Sequence, residues 1–136
     1  MWRSTLRFVS PYAIIGKGKI VAVIEAWKLN PDAELPFVQQ EIQNRRHRFT
    51  RHAIQRMSKR GISDVEVEEA THSGQVIERY PHDKYGPSVL LCGNTLPGRI
   101  LHVQWGLTLP VKVITVYEPD PGEWKQNFTV RKVRLS

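Results

Sequence analysis

Residues 49–61 read FTRHAIQRMSKRG, and this stretch sets the expectation for how the chain folds. Thr50 can cap a helix with its hydroxyl, and Gly61 suits the left-handed backbone conformation that ends one. Phe49 and Ile54 have the spacing of a hydrophobic staple around the start of that helix. The stretch therefore predicts a short helix with an apolar stripe along one side, formed by Ala53, Ile54 and Met57.

Positive charge is concentrated on another side of this predicted helix. At about 100° per residue, four titratable side chains share one stripe: His52, Arg56, Lys59 and Arg60. Residues 43–61 carry seven lysines and arginines without an acid, and the tail 125–136 carries four more. The net charge is +7, so these two blocks hold nearly all of the excess. They predict binding to nucleic acid, the ribosome or an acidic protein, with a merely soluble basic surface as the alternative.

Composition indicates a globular protein of one domain. The chain has 136 residues, of which 40% are hydrophobic and 24% charged, enough for one modest core. Cys92 is the only cysteine, so no intramolecular disulfide is expected, and its apolar neighbours predict a packed thiol. No run approaches the roughly 20 apolar residues of a membrane span. We therefore expect a cytoplasmic protein without a membrane partner.

The sequence after Gly61 continues the pattern. Ser63 and Glu66 have the spacing of a capping box, and the second helix is expected to end near Gly74 in another left-handed stop. Short connections rich in glycine and proline then separate four strand-like runs: Gln75–Tyr80, Ser88–Asn94, Arg99–Trp105 and Val111–Glu118. The order predicts an α+β fold, with two N-terminal helices packed on a four-stranded antiparallel β-meander.

The two ends of the chain have weaker patterns. Residues 1–48 are expected to form an appended N-terminal arm, with a strand or helix around 19–29 and a helix around 37–47. Residues 49–124 form the predicted α+β domain, which we expect to fold without the arm. The basic tail 125–136 predicts either an added edge strand or a flexible arm on RNA.

The series of motifs across residues 49–124 resembles the bacterial domain-of-unknown-function family 4258. The resemblance is carried by His52-Ala53, Arg56-Met57, Arg60-Gly61-Ile62, Val76-Ile77-Glu78 with Tyr80, Leu101-His102-Val103, and Ile114-Thr115-Val116-Tyr117-Glu118-Pro119-Asp120 with Trp124. That family looks like part of the group of small α+β ribonucleases, the BECR fold, that includes barnase and the RelE-type toxins. The resemblance implies a toxin-like RNA-cleaving domain, often encoded beside an antitoxin.

Metal-free RNA cleavage needs a base, an acid and cations around the phosphorane. Histidine suits the proton transfers near neutral pH, and arginine suits the phosphate oxygens. His102 alternates with Ile100 and Gln104 on what is expected to be the open face of its strand. We expect His102 and His52 to share the acid and base roles. The full set of catalytic candidates is His52, His102, Arg56, Arg60 and Tyr117.

Several further side chains are candidates for RNA binding: Arg45, Arg46, Arg48, Arg51, Lys59 and Tyr80. Tyr80 and Tyr117 lie where strands give way to loops, so each can stack on a base or simply pack at the sheet edge. Each histidine also has a structural alternative. His52 would then be a helix-surface residue, and His102 a hydrogen-bonding residue of its strand. Trp124 is expected to bury its ring and pin the C-terminal loop.

No metal or cofactor is expected. His47 and His52 are five residues apart, not the three or four that place two ligands on one helical face. The predicted function is a metal-independent endoribonuclease of toxin–antitoxin type that leaves a 2′,3′-cyclic phosphate. Its expected partners are RNA, including ribosome-bound mRNA, and a cognate antitoxin. The alternatives are a non-catalytic RNA- or ribosome-binding module, and a domain that docks an acidic antitoxin-like protein.

Overall fold

The computed structural model describes residues 13–15, 19–21 and 30–133. Within these ranges the helices, after a 3₁₀ turn at Pro31–Ala33, are α1 (Glu34–Gln43), α2 (Arg51–Arg60) and α3 (Asp64–His72). The strands are β1 (Ala13–Ile15), β2 (Lys19–Val21), β3 (Arg48–Phe49), β4 (Gln75–Tyr80), β5 (Ser88–Asn94), β6 (Ile100–Gly106), β7 (Lys112–Tyr117), β8 (Trp124–Lys125) and β9 (Val130–Arg131). None of the helices described is long and apolar enough to cross a membrane.

The main sheet has five strands in the order β3-β7-β6-β5-β4. The predicted α+β class is confirmed, but the predicted four-stranded antiparallel meander is wrong, because its strands β4 to β7, which are antiparallel neighbours, belong to a mixed sheet of five. β3 adds a fifth strand, parallel to β7, through bonds from Arg48 N to Val111 O (2.9 Å) and Thr50 N to Val113 O (3.0 Å). A strand of two residues is too short to show an alternating pattern in the sequence, so only its pairing with β7 defines β3.

The two predicted helices begin where their capping residues indicate. Thr50 Oγ1 accepts from the amide of Ala53 at 3.0 Å, and Gly61 ends α2 with φ of 63°. Ser63 and Glu66 form the predicted capping box at the start of α3. Ile54 departs from the predicted apolar stripe, because 55% of it is exposed and the core contact falls to Ala53 and Met57.

The glycine after α3 has a different role from the one predicted. α3 ends at His72, its capping residue Ser73 has φ of −88°, and Gly74 does not adopt the left-handed conformation. A Cβ at Gly74 would lie 2.7 Å from the carbonyl oxygen of Ala70. At Gly93 in β5 the same oxygen would be only 1.8 Å away. Both glycines therefore allow α3 to approach β5 backbone to backbone.

α1 packs into the same core as the helices that follow it. It spans Glu34–Gln43, earlier than the predicted 37–47, and Phe37, Val38 and Ile42 are buried with Trp105 of β6. Because these side chains complete the core, we infer that the folding unit begins before α1 rather than at residue 49. The strand or helix expected around 19–29 is represented by β2 alone, since residues 22–29 lie outside the described part.

The sheet has two faces with different coverings. Leu101, Val103 and Trp105 of β6 face the helices and are fully buried. On the second face, which carries His102 and Gln104, the tail forms the short hairpin β8–β9. The tail therefore adds no strand to the edge of the main sheet within the residues described. Gln126, Asn127 and Phe128 all have positive φ, between 52° and 67°, at the turn of this hairpin.

Candidate functional site

His102 lies in the middle of the second face, between Cys92 of β5 and Tyr117 of β7. The alternation predicted for β6 is confirmed, but the expectation that His102 faces an open surface is wrong. Its side chain is fully buried, because the β8–β9 hairpin covers this part of the sheet. Cys92 beside it is a buried free thiol whose pKa is raised by burial, in keeping with the packed thiol that the sequence predicts.

Both ring nitrogens of His102 have hydrogen-bond partners. Nε2 lies 2.8 Å from the carbonyl oxygen of Phe128, and Nδ1 lies 3.2 Å from the hydroxyl of Tyr117. A carbonyl oxygen only accepts, so Nε2 must carry the proton. In a neutral ring Nδ1 is then the acceptor, and the Tyr117 hydroxyl donates to it.

Burial keeps this imidazole neutral. Removal from water lowers the pKa of His102 below its ordinary 6.5, and the bond to Phe128 and the nearby carboxylate of Glu78 only partly oppose that effect. Burial also raises the pKa of the Tyr117 hydroxyl, so Tyr117 keeps its proton. The two residues therefore provide a neutral imidazole, whose Nδ1 lone pair can accept a proton, and a phenol that keeps its proton.

A carboxylate and a guanidinium lie beside this pair. Arg131 of β9 binds Glu78 of β4 through two bonds, Nε to Oε2 at 3.2 Å and Nη2 to Oε1 at 3.0 Å. The Tyr80 hydroxyl donates to the same Glu78 oxygen, Oε1. Burial and the Glu78 carboxylate together raise the pKa of Tyr80 to about 12. Burial alone would raise the pKa of Glu78, but Arg131 and Tyr80 hold it below its ordinary value.

Trp124 joins these groups to the hairpin. Its ring is buried, as the sequence predicts, and stands edge-on to the His102 ring with centroids 4.4 Å apart. The Arg131 guanidinium lies 4.5 Å from the centroid of the same indole. We call Glu78, Tyr80, His102, Tyr117, Trp124 and Arg131 the His102 cluster. It brings a neutral imidazole, two phenols, an ionised carboxylate and a guanidinium into contact.

Three members of the His102 cluster are not among the predicted site residues: Glu78, Arg131 and Trp124, which is predicted only to pin the C-terminal loop. Glu78 belongs to the motif that carries the family resemblance, and it lies two residues before Tyr80, so both project from the same side of β4. That spacing was an available signal. Arg131 is 53 positions from Glu78, and nothing in a basic tail singles out the cation that meets a buried acid.

His52 lies apart from the His102 cluster. It is exposed on α2, and its Nε2 accepts a hydrogen bond of 3.4 Å from Nε of Arg56. The hydrogen bonds and ring contacts described for the His102 side chain are with the hairpin and Tyr117 and not with His52, so the two histidines expected to share the acid and base roles do not meet. His52 instead borders a cleft that includes Gln104, two residues from His102 on β6.

The basic block divides into paired and unpaired cations. Arg45 Nη1 lies 3.1 Å from Glu68 Oε2, and Arg46 Nη2 lies 3.0 Å from Glu41 Oε2. Arg48 donates to the carbonyl oxygen of its neighbour His47. Three exposed cations have no side-chain partner among the described residues: Arg51, Lys59 and Arg60. Most of the positive charge without an acidic partner among the described residues therefore lies on α2, and Arg48 is its counterpart in the lead-in.

Arg99 fixes the end of α2. Its guanidinium donates to the carbonyl oxygens of Arg60 (2.9 Å) and Gly61 (3.0 Å), and it pairs with Glu66 and Glu118. Its bonds to Glu118 and Glu66 raise the pKa of Arg99 despite some desolvation. Glu118 thus helps to hold Arg99 in this structural position.

The described part of the chain offers no group of three histidine, cysteine, aspartate or glutamate side chains placed to hold a metal ion. His47 packs among aromatic side chains. Its Nε2 lies 3.9 Å from Glu68, and its ring packs edge-on against Phe49 and Trp105. Burial lowers the pKa of His47, and its Nδ1 has no hydrogen-bond partner among the described residues.

Comparison with known proteins gives one assignment. Residues 49–118 match the family model for DUF4258, a domain of unknown function, and this is the family that the motifs resemble. Neither the curated proteins nor the solved structures contain a match to this chain. The matched residues make up just over half of the sequence and include α2, α3 and strands β4 to β7. The chain therefore belongs to the DUF4258 family.

Proposed function

We propose that this protein is a metal-independent endoribonuclease of toxin–antitoxin type, similar to the barnase and RelE-type toxins. The observation that carries the proposal is the His102 cluster, in which a neutral imidazole, a protonated phenol and a guanidinium lie together on the second face of the sheet. RNA, including ribosome-bound mRNA, would be the substrate, with the cytoplasm as the place of action.

The chemistry assigns one role to each group. His102 accepts the proton of the 2′-hydroxyl, whose oxygen attacks the neighbouring phosphorus and forms the 2′,3′-cyclic phosphate. Tyr117, which keeps its proton, donates it to the departing 5′-oxygen. Arg131 stabilises the charge on the phosphorane, and Glu78 holds the guanidinium in place. His52 and Arg56, on the neighbouring helix, contact the RNA backbone rather than transfer the proton.

This mechanism requires movement of the hairpin. While the turn at Phe128 is docked, the Nε2–H of His102 is bonded to the Phe128 carbonyl oxygen and the Nδ1 lone pair is taken by the Tyr117 hydroxyl, so no lone pair is free for substrate. Displacement of the Phe128 turn alone, with Arg131 still bound to Glu78, would expose the imidazole and keep the guanidinium beside it. The ring could then carry its proton on Nδ1 towards Tyr117, which frees the Nε2 lone pair for the 2′-hydroxyl and the Tyr117 proton for the departing oxygen. An acidic antitoxin would bind the unpaired cations of α2 and compete with RNA.

The test is cleavage of defined RNAs by the purified chain in EDTA, free and on ribosomes. The wild type should release 2′,3′-cyclic phosphate ends, and His102→Ala should cut the rate roughly 10²–10⁴-fold with RNA affinity nearly unchanged. His72→Ala is the matched control, because His72 is an exposed histidine at the end of α3 and is not a member of the cluster. Folded wild-type protein that cleaves no RNA under either condition would overturn the proposal.

A second candidate is a non-catalytic RNA- or ribosome-binding module. The observation that favours it is the complete burial of His102 with both nitrogens bonded, while the unpaired cations of α2 are exposed. This candidate predicts salt-dependent RNA binding with no product in the same assay. The two candidates therefore separate in one experiment.

A further inference from the structure

A cleft of about 640 Å³ opens next to the His102 cluster, on the same face of the sheet. Its walls are the start of α2 and the loop between β4 and β5, and its floor is formed by the ends of β6 and β7. This volume lies in the range typical of small-molecule sites. Gln104 borders the cleft and lies about 6.6 Å along β6 from His102, at roughly 3.3 Å per residue.

The loop that forms one wall is held in a defined position by Asp83. Its Oδ2 accepts from the Ser88 hydroxyl at 2.8 Å and from Gln104 Nε2 at 3.3 Å, and its Oδ1 accepts from the amide of Lys84. Gly86, with φ of 106°, packs so closely that a Cβ would lie 2.5 Å from Thr108 Oγ1. The carboxylate of Asp83, the one acid lining the cleft, is thus used to hold the loop in place.

This fixed loop presents Tyr85 to solvent. The side chain is 84% exposed, although it belongs to the wall of the cleft. The Lys84 ammonium lies 5.2 Å from the centroid of the ring. One cation on one face leaves the other face available, and an exposed aromatic ring at the rim of a polar cleft is suited to stacking on a flat ligand.

The opposite side of the cleft supplies positive charge. Lys112 begins β7 and pairs in register with Gly106, and its Cγ lies 3.6 Å from the position a Cβ of Gly106 would take. The described residues give the Lys112 ammonium no acidic partner. His52 and the capped start of α2 lie beside it, so the positive end of the helix dipole also faces this side.

We propose that this cleft binds one unpaired nucleotide of an RNA strand, with its base stacked on Tyr85 and its phosphate held by Lys112 and His52. The inference rests on the proposed function, because it makes the cleft the subsite next to the scissile phosphate. Base stacking tolerates any sequence, while paired bases in a duplex have no free face to offer. The subsite is therefore expected to prefer single-stranded over duplex RNA, without a preference for a particular base.

The test measures binding of a short fluorescein-labelled oligouridylate to the full chain carrying His102→Ala, so that cleavage cannot interfere. Tyr85→Ala should weaken binding roughly 5- to 150-fold, the equivalent of losing one stacked base, whereas Tyr85→Phe should bind like the parent. Lys112→Gln should lower the salt slope by about 0.7, the share of one phosphate on a single strand. Lys125→Gln, an exposed lysine of the hairpin outside the cleft, is the matched control.

Each outcome decides the proposal. A Tyr85→Ala variant that binds like the parent, an equal effect of Lys112→Gln and Lys125→Gln, effective competition by duplex RNA of equal charge, or no RNA binding at all would overturn it. Binding that depends on Tyr85 and Lys112 supports the subsite even if the wild type cleaves nothing, in which case only the nuclease proposal fails. If the wild type cleaves RNA and Tyr85→Ala leaves kcat/KM unchanged, the subsite proposal fails and the nuclease proposal stands.

Discussion

The Nε2 atom of His102 lies 2.8 Å from the carbonyl oxygen of Phe128, so the middle of the sheet is bonded to the turn of the C-terminal hairpin. The bond fixes the neutral tautomer, since the carbonyl needs a donor. It also links the protonation of His102 to the docking of the hairpin. Two predictions follow from this pair of residues.

The first concerns pH. Because the folded pKa of His102 lies below 6.5, the unfolded chain takes up this proton at a higher pH than the folded chain. The contribution of His102 to the free energy of unfolding is therefore fully present above pH 6.5 and is lost as the pH falls towards the folded pKa. His47 has a lowered pKa as well and acts in the same direction. We expect thermal melting, followed by circular dichroism, to show a lower Tm at about pH 5.5 than at about pH 7.5.

A substitution at the same position isolates the contribution of His102. His102→Gln keeps an N–H that can reach Phe128 but cannot titrate, so its Tm should depend less steeply on pH. His72→Gln, on the exposed side of α3, should retain the wild-type dependence. Glu78 and Arg131, which face the imidazole, keep their charges over this interval. Identical pH profiles for His102→Gln and the wild type would show that His102 contributes nothing.

The second prediction concerns the hairpin as a cover. Trp124 and Arg131 hold β8–β9 against the cluster, so Trp124→Ala and Arg131→Gln should each let the hairpin open locally while the core stays folded. Modification of His102 by diethyl pyrocarbonate, measured by mass spectrometry, should then become faster. His52 is exposed already and serves as the internal standard. If His102 reacts no faster in either variant, the hairpin is not what protects it.

Local signals explain which parts of the fold could be predicted. The caps of α2 and α3 act over three or four residues, so Thr50, Gly61 and Ser63 were interpreted correctly from the sequence. Strand β3 could not be predicted, because its two residues pair with β7 more than 60 positions later. Gly74 was misread because glycine has two uses, and close approach to a neighbouring backbone leaves the same letter as a left-handed stop.

The site follows the same division. Alternation along β6 placed His102 on the correct face, and its partner Tyr117 was identified as a site candidate. Burial of His102 was missed because it depends on Phe128 and Trp124, in a tail whose docking no local pattern specifies. Charge counts also gave Arg45 the same weight as Arg60, since a sequence does not show which cations already have acidic partners.

The packing of α3 on β5 predicts a large effect at one glycine. A Cβ at Gly93 would lie 1.8 Å from the backbone oxygen of Ala70, so Gly93→Ala must push helix and strand apart. We expect a loss of more than 3 kcal/mol in the free energy of unfolding, above the usual range for a single substitution of about 0.5–3. Urea unfolding measures it. Gly61→Ala is the control, because nothing lies within 4 Å and only the φ of 63° opposes the change, at about 1–2 kcal/mol.

The burial of α1 predicts where the domain can be shortened. A chain that starts at Asn30 retains Phe37, Val38 and Ile42 and should unfold cooperatively with a Tm close to that of the full chain. A chain that starts at Gln43 loses all three and should be unfolded or lack a cooperative transition, since each buried side chain contributes about 1.5–3 kcal/mol. Circular dichroism during heating distinguishes these results. A cooperative transition in the shorter chain would show that residues 49–124 fold without α1.

The last prediction separates the two kinds of arginine in the basic block. Arg56 and Arg60 lie on the stripe of α2 that has no acidic partner, whereas Arg45 is already paired with Glu68. If α2 contacts RNA, replacing Arg56 and Arg60 with Gln should lower the slope of log affinity against log salt by about 1.4, which is two phosphates at about 0.7 each on a single strand. Arg45→Gln should change the slope much less, because Glu68 already offsets that charge. Fluorescence anisotropy over a range of salt concentrations gives both slopes. Equal reductions for each arginine replaced would mean that RNA responds to net charge alone and does not bind along α2.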